Sequence, residues 1–231
     1  MPVLLVAVLV AVYVAINRRE LSGKEQSRLS FDNIVNLTGE HLLLTAVSTV
    51  LVLLIAIPFG IVLTRPFART VTPAAIAVFN IGQAVPSIGL IVLFALVWDI
   101  GFWPVVVALV AYTVLPVLRN TMVGLRQVDA SVIESARGMG MTRLAVLTRI
   151  ELPLAVPIIM AGLRTALTIN VGTATLGAFV AAGGLGELIV SGFNDPRPLI
   201  LVVGAVLVAV LALLVDYLAA IAEDVLRPRG L

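Results

Sequence analysis

The feature that most restricts this chain is a succession of long apolar runs separated by short charged stretches. A run of roughly 20 apolar residues crosses the ~30 Å hydrocarbon layer of a bilayer as a helix. Such runs occupy about His41 to Leu63, Thr72 to Trp98, Phe102 to Leu118, Leu154 to Val180 and Leu199 to Ala222. A shorter one, Val3 to Ile16, precedes them and ends at Asn17-Arg18-Arg19. Membrane-barrel strands are about 10 residues long and alternate apolar with polar, whereas these runs are apolar on every side. Hydrophobic residues make up 61% of the chain and charged residues 12%; a soluble domain has about half and about a quarter. The bilayer is therefore the solvent. The expected fold is an all-α membrane protein, a polytopic helical bundle of about six transmembrane helices.

The short first run reads as a signal anchor, a tilted first helix or a cleaved signal peptide. Signal peptides carry their positive charge before the apolar run. Here the charges follow it, which favours a retained helix. Residues 1–30 are then an N-terminal helix with an outer polar segment, and 31–231 the transmembrane domain. The stretch from Arg18 to Glu40 is polar and mixed in charge, and reads as surface. Prolines 58, 86, 104, 116 and 157 fall within or at the ends of runs, where neighbouring helices re-satisfy the backbone they disturb. Placing the Arg119–Arg149 segment in the cytoplasm puts Arg65, Arg69, Arg119, Arg126, Arg137, Arg143, Arg149, Arg227 and Arg229 on that side. Arg18, Arg19, Lys24, Arg28 and Arg197 fall outside. This balance follows the positive-inside rule and leaves the C-terminus cytoplasmic.

Several chemistries are excluded. There is no cysteine and one histidine, His41, so thiolate and multi-histidine metal sites are absent; no metal is expected. His41 reads as a helix-start residue at the membrane surface. The stretch Gly183-Gly184-Leu185-Gly186 lacks the lysine and the strand of a phosphate loop. It is expected to be a flexible outer loop leading into a short re-entrant helix, Glu187 to Phe193. No G-x-x-x-x-G-K-[ST] occurs anywhere, so ATP hydrolysis by the chain itself, and any cofactor for it, is not expected.

The segment between the Phe102–Leu118 and Leu154–Val180 runs carries the functional argument. Asp129 or Ser131 is placed to cap a helix. Val132, Ile133, Ala136 and Met139 then recur at helical spacing. Gly138 and Gly140 interrupt the pattern, and a second amphipathic piece runs from Thr142 to Ile150 before Pro153 opens the next run. The expectation is a helix, a glycine turn and a second helix lying flat on the cytoplasmic face, presenting Glu134, Arg137, Arg143 and Arg149. From physics alone this is equally a docking elbow or a juxtamembrane helix with solvated charges.

Glu134-Ser135-Ala136, Gly140 and Ile150-x-Leu152-Pro153 resemble the EAA signature of type I ABC importer permeases: E-A-A, three residues, G, nine residues, I-x-L-P. Ser135 stands in place of an alanine. The resemblance implies a five-helix permease core and a coupling loop over about 121–152. Glu134 would contact a cytoplasmic ATPase subunit, and Gly140 would form the turn. It also implies a second permease copy or a paralogue, an extracytoplasmic solute-binding protein, and ATP bound by the partner subunit. Asn80-x-x-Gln83-x-x-Pro86-Ser87, Gly162-Leu163-Arg164-Thr165-Ala166, the Gly172–Phe179 stretch and the terminal Arg227–Leu231 resemble the glycine betaine, carnitine and choline branch of that family.

Other polar residues lie within the runs. Arg164 and Asp216 are intramembrane charges, which are costly and usually paired; they are expected to pair, either for packing or for transport. Asn80, Gln83, Ser87, Thr168, Asn170, Thr173 and Thr175 serve either as interhelical glue or as the lining of a polar path between the Thr72–Trp98 and Leu154–Val180 helices. With aromatic residues at only 6%, capture of a cation by an aromatic cage belongs more naturally to an external binding protein. The rival readings are a permease for another small solute such as an amino acid, an ion-coupled secondary transporter, and an intramembrane enzyme. The secondary transporter requires paired intramembrane carboxylates, and acids are nearly absent from the runs; the enzyme requires a catalytic constellation that is not visible within them. Lipid is the expected environment, and nothing points to nucleic acid.

Overall fold

The computed structural model describes residues 1–227, all of whose regular structure is helical. In chain order the helices are α1 (Pro2–Asn17), α2 (Gly23–Arg28), α3 (Phe31–Leu63), α4 (Thr72–Ala84), α5 (Ser87–Val97), α6 (Phe102–Arg126), α7 (Ala130–Gly138), α8 (Arg143–Val146), α9 (Leu152–Ala174), α10 (Gly186–Asn194) and α11 (Pro198–Leu226). A π-helical turn, Leu147–Glu151, joins α8 to α9, and a 3₁₀ segment, Thr175–Val180, extends α9. The terminal stretch 228–231, which includes Arg229, lies outside the described residues.

Four helical stretches are long and apolar enough to cross a membrane: α3, α6, the rod Arg143–Val180 that contains α9, and α11. The expected third span, Thr72 to Trp98, is not one helix. It breaks into α4 and α5, bent by 92°, and would be a fifth crossing only if the pair is one span. The cause is local: Pro86 has no N–H to donate, and it forces Val85 before it into extended backbone (φ −82°, ψ 134°). α1 has 16 residues, about 24 Å of helix, which falls short of the hydrocarbon thickness. The expected count of about six therefore resolves into four spans, one broken pair and one short apolar helix.

From Phe31 onward the polar stretch before His41 is helical; most of the Arg18–Glu40 stretch is exposed. Ser30 caps α3, its Oγ accepting from the Asn33 amide at 3.4 Å, so Asp32 to Glu40 form the first turns of a 33-residue helix. His41 accordingly lies one-third of the way along α3. It is fully buried against α9, with Nε2 2.9 Å from the Val171 carbonyl.

α6 is the centre of the bundle. It packs against α3 and α9 on its main faces and carries α4 and α5 as well, while α11 packs on α9 and α10, and α1 on α11. Val52, Ala56, Leu115, Val117, Leu118 and Ala166 form one buried cluster among α3, α6 and α9. Leu44, Ile91, Val105, Val106 and Leu109 form a second, toward the other end of these helices. A third cluster, with Leu188, Ile200 and Val203, seats α10 on α11. The Gly183-Gly184 loop that leads into α10 is pinned rather than flexible. Both glycines take positive φ, 80° and 86°, and the Gly184 amide donates to Glu40 Oε2 at 2.9 Å.

Candidate functional site

The charged segment between α6 and α9 folds into an elbow whose every joint has a local cause. Asp129 Oδ1 accepts from the Ser131 amide at 2.8 Å and starts α7; that hydrogen bond holds the Asp129 carboxyl below its ordinary pKa. Gly138 stays within α7, so only Gly140 breaks it, at φ 85°. The Met141 amide donates to the Ala136 carbonyl at 3.1 Å and the Gly140 amide to the Arg137 carbonyl at 2.9 Å. This is a Schellman closure, which needs a left-handed residue at the position of Gly140. Thr142 then caps α8, its Oγ1 accepting from the Ala145 amide at 3.2 Å.

The second arm is not a separate helix lying flat. α8 continues through the π turn into α9, so the elbow is one short helix folded back on the end of a long rod. Ala136 is buried at the joint, whereas Glu134, Ser135, Arg137, Arg143 and Arg149 are exposed. Ile150, Leu152 and Pro153 are half-buried where the rod enters the bundle. Of the expected apolar face of α7, only Ala136 is covered and Ile133 half-covered; Val132 and Met139 stand exposed, Met139 at 77%. Beside the elbow, Arg65 grips Glu151 with both forks: Nη2 donates to Oε2 at 2.6 Å and Nη1 to Oε1 at 3.3 Å.

Arg164 on α9 faces α11. Its Nε and Nη2 each donate to a different Asp216 oxygen at 3.0 Å, and Nη1 donates to Glu223 Oε2 at 3.3 Å. Asp216 and Glu223 are seven residues apart, two helical turns, and so share one face of α11. Next to this cluster an open groove of about 430 Å³ runs along α9, lined by Ala161, Arg164, Thr165, Thr168, Ile169 and Asp216. Ala161, Thr165, Thr168 and Gly172 form the exposed stripe of that helix.

The other polar residues expected to share a path are not brought together. α4 and α9 each pack on α6 and share no substantial face with each other. Asn80 accepts from Arg119 Nη2 at 2.8 Å, and Gln83 donates to the Tyr112 carbonyl at 3.1 Å, both across the α4–α6 contact. Ser87 opens α5 at the bend. Asn170 is fully buried, accepting from Thr113 and donating to Thr49, both at 3.1 Å. It fastens α3, α6 and α9 together and does not face a groove. Thr173 is half-buried, and Thr175 donates to the Gly172 carbonyl at 2.7 Å at the end of the rod.

Sequence reading missed Arg65, Glu151 and Glu223. The seven-residue step from Asp216 signalled Glu223, but nothing local links Arg65 to a residue 86 positions away. It also missed a charge cluster around α2. Lys24 lies 3.1 Å from Asp195, Arg28 3.6 Å from Glu187 and Arg197 3.7 Å from Glu25, tying α2 to the α10–α11 turn. Among the described residues no group of three or more His, Asp or Glu side chains is placed to hold a metal ion.

The same architecture occurs in solved transporters. An inward-facing structure of the MetNI methionine ABC transporter matches with a TM-score of 0.75 at 25% identity, over 90% of this chain and 100% of that one. Among curated proteins, the glycine betaine/carnitine/choline transport system permease protein OpuCB of Bacillus subtilis is 41% identical over 84% of this chain and 88% of its own length. The osmoprotectant import permease protein OsmY of Salmonella typhimurium is 41% identical over 86% of this chain and 84% of its own. The carnitine transport permease protein OpuCD of Listeria monocytogenes is 40% identical over 81% and 84%. Residues 56–228, which hold the elbow, the rod and the Arg164 cluster, match the model of one family. The chain belongs to the binding-protein-dependent transport system inner membrane components, the multi-pass permease subunits of ABC importers.

Proposed function

We propose that this permease carries quaternary-ammonium osmoprotectants of the glycine betaine, carnitine and choline class, working as one of two membrane subunits above two cytoplasmic ATPase subunits. The observation that carries the coupling half is the elbow. A capped helix, a left-handed glycine and an exposed Glu134 on the end of a continuous rod make a compact knob that a soluble partner is able to hold and move. The solute half rests on relatives named for these compounds at 40–41% identity, against 25% for the methionine transporter.

ATP bound by the partner subunits closes them. The elbow follows, and the rod carries the displacement into the bundle. The requirement is that nucleotide favours one access state over the other, since a ligand shifts an equilibrium only through its differential affinity. The trimethylammonium group of such a solute presents charge without a hydrogen-bond donor. The small, partly hydroxylated stripe of Ala161, Thr165, Thr168 and Gly172 lets such a solute slide past without trapping it. An external binding protein then supplies selection and delivers the solute to the face opposite the elbow.

The test is reconstitution with the cognate ATPase and binding protein. Labelled glycine betaine, choline and carnitine are expected to accumulate in proteoliposomes only with ATP, and methionine is not. Glu134→Arg is expected to lose the ATPase on co-purification. Uptake at the full rate without any ATPase, or an unaltered complex in the variant, overturns the reading.

A further inference from the structure

The elbow is almost unsupported from the side. α7 packs substantially only on α8, and α8 enters the bundle through the π turn Leu147–Glu151. A π turn adds a residue to the helical register and is a common mark of functional sites. At this joint the rod leaves the α-helical register, as it does again in the 3₁₀ segment at its far end.

The last residue of that turn is Glu151. Among the described residues its carboxylate is the one charged side chain buried at this end of the bundle, 6% exposed, and it receives both forks of Arg65 at 2.6 and 3.3 Å. Arg65 lies two residues past the end of α3, where it opens the turn Pro66–Ala68. The pair closes one wall of a groove of about 550 Å³ that also touches Phe67, Ile133, Arg143 and Leu144. Among the described residues it is the one ion pair that reaches the coupling segment. A planar fork gripped at two points fixes direction as well as distance, so the π turn is held in register with α3 while the elbow beyond it is free.

We infer that Arg65 and Glu151 are positioning residues for coupling. The pair is the fulcrum that converts motion of the α7–α8 elbow into tilt of α9 relative to α3, and it does not itself touch the ATPase. The inference rests on the docking reading above. Without the fulcrum the π turn yields, and the elbow moves with its partner while the rod stays behind. Docking and nucleotide hydrolysis then persist, but transport no longer follows them.

The test uses the full chain with its cognate ATPase and binding protein in liposomes. R65Q and E151Q are expected to keep the ATPase bound and its solute-independent hydrolysis at the wild-type level. Solute moved per ATP should fall about tenfold, within the usual span of a coupling free energy. R65K, which keeps the charge but loses the fork, should fall between. The exchange R65E/E151R should recover part of the loss. An unchanged solute-to-ATP ratio, or a parallel fall of binding, hydrolysis and transport, overturns the inference.

A second measurement needs no ATPase. The chain has no cysteine, so Phe67→Cys and Leu144→Cys, both exposed on the wild-type surface, take one spin label each. Their distance distribution should broaden when R65Q is added. No broadening overturns the fulcrum. Retention of the ATPase by Glu134→Arg sinks the docking reading instead and leaves this measurement standing.

Discussion

At the scale of single residues, two positions separate local roles from transport roles. Gly140 holds φ 85°, a region that costs a residue with a Cβ roughly 1–2 kcal/mol. Gly140→Ala should loosen the elbow alone. Amide exchange at Gly140 and Met141, which donate to Arg137 and Ala136, is expected to accelerate while the melting temperature of the bundle stays put. Asn170→Leu should do the reverse. Asn170 bridges Thr49 and Thr113 inside the core, and interhelical hydrogen bonds of this kind contribute about 1 kcal/mol. The melting temperature in detergent is expected to drop, with transport per folded molecule unchanged. A transport defect without a stability loss returns Asn170 to the pathway.

At the scale of elements, the Arg164 cluster joins α9 to α11 through three charged groups instead of two. The side chains are about one-third exposed, Arg164 at 35% and Asp216 at 33%. An unpaired charge within a span is costly, so reversing one charge is expected to lower stability by about 3 kcal/mol. The double exchange R164D/D216R should restore only part of this, because the new aspartate faces Glu223, an unfavourable contact. Thermal unfolding of the two single variants and the double variant measures the difference. Such contacts show which elements the sequence made legible. The long rods announced themselves through apolar length, and the elbow through its caps, its glycine and its spacing. The bend at Val85-Pro86 lay within a continuous apolar run, where hydropathy has no means of distinguishing a straight span from a broken one. Arg65–Glu151 and the grip of Glu40 on the Gly184 amide join residues far apart in the chain. Helical periodicity is blind to such pairs, and only packing reveals them.

At the scale of the whole molecule, the charges divide between two ends. The elbow and Arg65 occupy one. At the other, Lys24 and Arg28 of α2 pair with Asp195 and Glu187, and Arg197 pairs with Glu25 of α2. Hydrogen bonds from Arg197 and Lys24 hold the Asp195 carboxyl below its ordinary pKa, and hydrogen bonds from Ser22 do the same for Glu25. A carboxylate depressed on folding contributes its stabilisation above the ordinary carboxylate range and loses it as pH falls through the lowered value. A spin label on α2 should therefore keep its mobility from neutral to mildly acid pH and loosen only below about pH 4. Because these groups are exposed, molar salt should loosen it as well; release already near pH 6.5 would assign the strap to other groups. The right-angled break between α4 and α5 bears on the molecule's outline. The last carbonyls of one half and the first amides of the other have no intrahelical partner, Pro86 offers no side-chain cap, and hydrocarbon supplies no substitute. Those groups are left to partners from outside the two halves, and Pro86 itself stands exposed. One imino acid thereby gives an otherwise self-sufficient bundle a polar edge that its own helices do not finish.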